Sequence, residues 1–332
     1  MKGEVTGEAF AARTVAELLE RLSAEDAGAR AADPEPVHRM RVATRRLREA
    51  LPLFRDHFPA ECEKGVRAVR RLTRALGEAR DADVQIDAVL LALEGGDFRK
   101  VSPGDVPGLE RLLLRLRQRR AKLQKNVVRA LDRFAEDPGP KDLASRARVL
   151  MGQARVEGEE PGGLDPDGSD LGGPGSEFRE RILSLVRERA ACVAGFGEPT
   201  LPADGARLHE MRKAAKRLRY TLEIFAPFFG GADGALAPHI KRVKALQDAL
   251  GTVRDRDVWI AFLPDFIERE RRRTLAYQGH IRAFGRVARG VARFEAAARE
   301  GRETAFADFA ALWDKLRKGR WWKDLLDSLG AA

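Results

Sequence analysis

Cysteine is nearly absent from this sequence. Cys62 and Cys192 are the only two in 332 residues, which excludes a disulfide framework and a cysteine-rich zinc site. Long apolar runs are missing as well: none approaches the roughly 20 residues of a membrane helix. The opening MKGEVTGEAFAART has no apolar core of the signal-peptide kind. The expectation is a soluble, cytoplasmic chain. No stretch alternates polar and apolar residues as a half-buried strand would. There is no Walker A loop, no glycine-rich dinucleotide turn and no spacing that sets up a Ser-His-Asp triad. Neither a metal nor a cofactor is expected.

Charge, by contrast, is abundant, with 61 Lys+Arg against 51 Asp+Glu and a net of +10. That net hides an uneven distribution. Residues 152–177, GQARVEGEEPGGLDPDGSDLGGPGSE, carry one arginine against seven acids, so the rest of the chain stands at +16. A body this basic favours a polyanionic partner: nucleic acid, anionic lipid or condensed phosphate. The same segment holds eight glycines and three prolines. It reads as a flexible acidic linker between two halves, 1–151 and 178–332.

The halves repeat one another. Residues 37–54, VHRMRVATRRLREALPLF, match residues 208–225, LHEMRKAAKRLRYTLEIF, at nine of eighteen positions. LGEARDADV at 76–84 matches LGTVRDRDV at 250–258 at six of nine. Ala, Leu, Arg and Glu recur at helical spacing around these motifs, as in LERLLLRLRQRRAKLQKNVVRALDRF. The expected fold is all-α: two helical bundles of four-helix type with extra helices, related by pseudo-two-fold symmetry. The Arg-Asp-x-Asp echoes read as helix starts, with Asp81, Asp83, Asp255 and Asp257 capping and holding Arg80, Arg254 and nearby bases rather than binding metal.

Helical geometry puts His38, Arg41, Arg45 and Arg48 within about 80° of one another, with Met40, Leu47, Leu51 and Phe54 on a separate apolar face. His209, Arg212, Lys216 and Arg219 repeat the stripe, and Met211, Leu218, Leu222 and Phe225 the apolar set. Like charges at this spacing disfavour a helix slightly, so an external anion is the natural relief. On the next helix Arg67, Arg70 and Arg74 share a face, with Lys241 and Lys244 at the first two equivalent places. A stripe of about 15 Å suits a linear series of phosphates better than one. Arginine meets phosphate oxygens with a planar fork, and lysine adds a mobile charge. Histidine becomes a further donor when a polyanion raises its pKa.

The doubled His-x-x-Arg-x-x-x-Arg/Lys-x-Leu-Arg pattern, with its Leu-Gly-x-x-Arg-Asp-x-Asp-Val companion, resembles the CHAD family (conserved histidine α-helical domain). The resemblance spans nearly everything outside the linker. It implies a basic central groove or pore that binds inorganic polyphosphate without catalysis, and partners among polyphosphate-metabolising enzymes or storage granules. The halves differ in places: Pro52 interrupts the first histidine helix where the second has Glu223, and Asp248 stands where Arg74 would predict a base. A histidine phosphotransferase or polyphosphate-processing enzyme is the alternative, and RNA or DNA binding ranks behind it because the stripes carry no stacking aromatics. His57, His239 and His280 lack counterparts and read as incidental. Trp313, Trp321 and Trp322 read as packing for a terminal amphipathic helix.

Overall fold

A computed structural model describes residues 5–58, 63–95, 101–156, 175–197, 205–319 and 321–330. Among them are eleven α-helices and no β-strand. The first half holds α1 (Gly7–Ala24), α2 (Asp26–Arg30), α3 (Pro34–Leu53), α4 (Glu63–Leu93), α5 (Val106–Glu136) and α6 (Pro138–Val156). The second holds α7 (Ser176–Ala194), α8 (Gly205–Phe225), α9 (Ala237–Gln278), α10 (Phe284–Lys318) and α11 (Trp321–Gly330).

Local sequence explains where the helices begin. Thr6 caps α1 by accepting from the Ala9 amide at 3.2 Å. Asp33 caps α3 by accepting from Glu35 at 3.1 Å, and Pro34 supplies the fixed φ of a first helical turn. Such a cap satisfies a backbone donor that the helix leaves unpaired.

Three sequence expectations about element boundaries need correction. The acidic segment does not start at 152: α6 continues to Val156 and α7 opens at Ser176, while 157–174 lie outside the described residues. Residues 152–156 hold a single glycine, too few breakers to stop a helix. Pro52 does not interrupt α3, which ends one residue later at Leu53. And the Arg-Asp-x-Asp motifs do not start helices. Both α4 and α9 run straight through them, and the second aspartate is used sideways. Asp83 accepts from Arg120 of α5 at 2.6 Å, and Asp257 accepts from Arg302 of α10.

The apolar faces of α3 and α8 are buried as their periodicity predicts, with Met40, Leu47, Met211 and Leu218 at 3% exposure or less. The core they enter is shared by the halves. Phe10 of α1 lies 5.8 Å from Phe54 of the first half and 5.9 and 6.0 Å from Phe225 and Phe178 of the second. A second shared cluster joins Val89, Leu109 and Leu112 to Trp259, Phe266 and Phe294. There α5 crosses α10 backbone against backbone. A Cβ on Gly290 would lie 2.1 Å from the Asp105 carbonyl oxygen, and one on Gly108 would lie 2.5 Å from that of Val287. Only hydrogen fits at that crossing. A third cluster, with Met40, Leu72, Leu76 and Leu131, belongs to the first half alone. The halves are thus joined by apolar packing at two separate places.

Candidate functional site

Helices α3 and α8 pack on each other, and beside their contact opens a cavity of about 900 Å³. It is lined by Arg41, Arg45, Arg48, Glu49 and Pro52 of α3, by Arg70, Thr73, Arg74 and Gly77 of α4, by Glu188, Arg189 and Cys192 of α7, and by Lys213, Ala214, Lys216 and Arg217 of α8. Nine of these side chains are basic and two are acidic. None is aromatic.

Lys216 stands in the most crowded part of this charge. Burial first, then Arg45, Arg212 and Arg41, push its pKa down to about 7. The same causes act on the arginines: burial and then Arg45 lower Arg41, and burial lowers Arg212 although Asp255 opposes it. Arg41 finds a weak counter-charge in Asp81, 3.6 Å away and largely exposed. Arg212 keeps its Nε buried with no hydrogen-bond partner. The repeated Leu-Gly supplies room for both guanidinium groups. Gly77 lies against Arg41 Nε and Gly251 against Arg212 Nη2, each at 3.8 Å from where a Cβ would sit. A β-carbon at either glycine would meet the arginine at ordinary van der Waals distance.

Arg41, Arg45, Arg48, Arg70, Arg74 and Lys216, all picked out by the sequence, therefore come together in one cavity. The others stand elsewhere. His38 is half-buried with its Nδ1 unpartnered; burial and then Arg80 lower its pKa. His209 is exposed, and its pKa is lowered by desolvation and then Lys213 and Arg254. Lys241 and Lys244 are exposed on α9, outside the cavity lining. Arg67 pairs with Glu63 at 3.4 Å and lines a different surface recess with Lys64, Arg71 and Arg133. Arg219 is turned away from the cavity. Its Nε lies 3.0 Å from Glu223, and its guanidinium covers the Tyr220 ring at 5.1 Å. The helical wheel placed it correctly around the axis but could not see that Glu223, one turn on, would take it.

Sequence reasoning missed Arg189, Lys213 and Arg217. Arg189 donates to Thr221 Oγ1 at 2.7 Å and to the Arg217 carbonyl at 3.1 Å. No echo marks it, since the position 171 residues earlier is Leu18. Lys213 and Arg217 were findable, being the residues next after Arg212 and Lys216, on one flank of the stripe on α8. Among the remaining motifs, His239 is buried with Nε2 3.3 Å from Ser328 Oγ, and Trp313 donates to the Gly197 carbonyl at 2.7 Å. No helix of the described residues is long and apolar enough to cross a membrane.

Duplicated His-Arg helices beside one basic cavity define an all-helical repeat protein, and comparison with known proteins says of which family. The CHAD domain matches residues 13–264, so the chain belongs to the CHAD-domain family. Two uncharacterised proteins of Mycobacterium tuberculosis, from strains CDC 1551 and H37Rv, are each 29% identical over 256 residues. The match covers 73% of this chain and 42% of theirs, so the chain spans less than half the length of these relatives. The crystal structure of the CHAD domain from the plant Ricinus communis has a TM-score of 0.58 at 20% identity, covering 100% of this chain and 94% of that one. PptA from Streptomyces chartreusis has a TM-score of 0.51 at 16% identity, covering 92% and 99%. At these identities the two structures establish the all-helical fold alone.

Proposed function

We propose that this protein binds inorganic polyphosphate in the basic cavity and does so without catalysis. The observation that carries the reading is the convergence of nine bases from four helices of both halves on one space with only two acids. Lysine loses its proton near neutrality where positive charge lacks an internal counter-ion. A flexible chain of phosphates supplies that counter-ion, and its capture is driven by charge pairing and counterion release. In this reading α3 and α8 are pseudo-two-fold equivalents facing across one groove. The bound polymer is then held for polyphosphate-metabolising enzymes or for storage granules in the cytoplasm.

Absence of aromatic side chains from the lining disfavours nucleic acid, whose bases would ask for stacking surfaces. Histidine phosphotransfer is the second reading, favoured by the unpartnered Nδ1 of His38. Against it, Arg80, Arg41 and Arg45 surround that ring with positive charge, and Glu35 is its one acidic influence. A phosphotransfer histidine needs an orienting base instead.

The test is a titration with polyphosphates of several lengths, with RNA of matched charge as competitor. Affinity should rise with chain length until the cavity is filled and fall steeply with salt. Cys192 is exposed in the lining and serves as a reporter: bound polyphosphate should slow its reaction with a thiol reagent. Equal binding of RNA, or labelling unaffected by saturating polyphosphate, defeats the reading. Phosphohistidine after incubation with a phosphodonor would move it to the enzyme class.

A further inference from the structure

The repeat allows the cavity to be compared with its own counterpart. Add 171 to the residues of one half and six of the sixteen positions lining the basic cavity have matches around a second recess, between α1 and α8. Arg217 corresponds to Arg46, Arg189 to Leu18, Glu49 to Tyr220 and Pro52 to Glu223. The two spaces are unequal. The basic cavity measures about 900 Å³ and the recess about 180 Å³. The recess balances Arg21 and Arg46 against Glu17 and Glu223, where the cavity carries a large excess of bases.

The difference centres on one carboxylate. Glu223 accepts from Arg46 Nη2 at 3.2 Å and lies 3.0 Å from Arg219 Nε. Those two arginines are the repeat equivalents of Arg217 and Arg48. On the open side proline stands in place of the glutamate. Arg217 makes no ion pair with a described residue, and Arg48 reaches only its neighbour Glu49, at 3.3 Å. Tyr220 completes the closed side, with Arg45 5.6 Å above its ring and Arg219 at 5.1 Å. Arg45 lines the cavity while Tyr220 lines the recess, so this ring is the wall between them.

We infer that Glu223 is a built-in substitute for a bound phosphate: it neutralises Arg46 and Arg219 and, with Tyr220, shuts one of two repeat-related mouths, so that a polyanion enters the cavity from the α7 side alone, past Arg48, Arg189 and Arg217. The inference rests on the polyanion-binding reading and deepens it. A protein closed this way grips one stretch of a polymer from one side, whereas two open mouths would let the chain thread through.

The experiment compares repeat-equivalent arginines. With sodium tripolyphosphate as probe, Arg217→Ala should weaken binding about tenfold, the loss of one charge-assisted contact. Arg46→Ala, in an otherwise unaltered chain, should change it less than twofold. Glu223→Gln should add one bound tripolyphosphate per chain, and the added site should vanish in Glu223→Gln/Arg46→Ala. Equal losses for Arg46→Ala and Arg217→Ala, or no added site in Glu223→Gln, overturn the inference. A second readout needs no phosphate binding at all. Phenylglyoxal labelling, mapped by peptide mass spectrometry, should modify Arg217 readily and Arg46 slowly, and Glu223→Gln should bring Arg46 up to the rate of Arg217. If the unaltered chain ignores polyphosphate of every length, the functional reading fails, and this labelling still decides whether Glu223 occupies the arginines. Equal labelling of Arg46 and Arg217 in the unaltered chain sinks the plug.

Discussion

Arginines gather at two places in this molecule, and they are treated in opposite ways. On α9, within reach of α5 arginines, Glu270 is fully buried. It receives Arg115 in a bidentate pair at 2.8 and 3.1 Å, Arg111 at 3.2 Å, and Arg273. Burial alone would push that carboxyl up, but the hydrogen bonds from Arg115, Arg273 and Arg111 together hold it below its usual range. Around Lys216 the arginines are as dense, but the carboxylates nearby do not balance them: Asp81 is largely exposed, Asp255 is itself destabilised by burial, and the lysine responds by approaching neutrality. An arginine cluster that carries its own anion is part of the frame. One that lacks it is, in the proposed reading, the place for an anion from outside.

The sharpest way to break this contrast is to remove the charges crowded around Lys216, together with Lys216 itself. Replacing Arg41, Arg45, Arg212 and Lys216 together with alanine should lower polyphosphate affinity on the order of a thousandfold, at about 1 kcal/mol for each lost contact. The far-ultraviolet circular dichroism should be unchanged, because these side chains lie outside the apolar core. Retained affinity would end the cavity reading. Glu270→Ala should do the reverse: a loss of about 3–5 kcal/mol in chemical denaturation, since three arginines would be left facing one another. Polyphosphate affinity of the folded fraction should hardly move.

Lys216→Met probes both sides of the contrast at once. It should stabilise the unbound protein by about 1–2 kcal/mol, as apolar replacement of a strained charge often does, while weakening polyphosphate binding about tenfold. The pH dependence has a definite sign. The unfolded lysine keeps its proton up to about pH 10.4, whereas the folded one gives it up near 7. Between those values the unfolded state binds more protons, so stability climbs with pH and is lowest below pH 7. Lys216→Met should flatten that climb. Polyphosphate binding to the unaltered chain should take up a proton near pH 7.5, measurable by calorimetry in buffers of different ionisation enthalpy.

The smallest effect belongs to the histidines. Both have pKa values lowered from the ordinary 6.5, so each is neutral at pH 7 and charges only when acid or a bound anion favours it. His38→Ala with His209→Ala should weaken binding a few-fold at pH 6 and leave it unchanged at pH 8. A loss equal at both values would give the rings a structural role.

How much of this was legible beforehand depends on the kind of signal. The all-helical fold and the burial of Met40, Leu47, Met211 and Leu218 followed from periodicity, which local geometry alone dictates. So did the angular grouping of Arg41, Arg45 and Lys216 with their neighbours on each helix. What one helix at a time could not give was partnership between helices. Arg219 looked equivalent to Arg48 until Glu223 claimed it. Asp83 and Asp257 looked like caps until α5 and α10 offered Arg120 and Arg302. Arg189 was invisible because its helix carries no echo of its counterpart. The Pro52 and Glu223 difference was plain in the sequence, but its meaning needed Arg46, which only the packing of α3 on α8 brings within reach.

The glycine crossing of α5 and α10 has one more consequence, for where the ordering entropy of binding falls. Backbone contact at Gly108 and Gly290 leaves no side-chain layer through which the two helices could slide, and the phenylalanine cluster around Phe10 fastens the halves again elsewhere. A frame fastened at two points offers its cations at preset separations and has little freedom left to lose when a ligand arrives. In the proposed reading the polymer therefore does the adapting. A chain of phosphates already bent to the spacing of the bases, such as a cyclic or metal-folded one, meets a receptor that is rigid in advance, and selection among polyanions becomes a matter of their own stiffness.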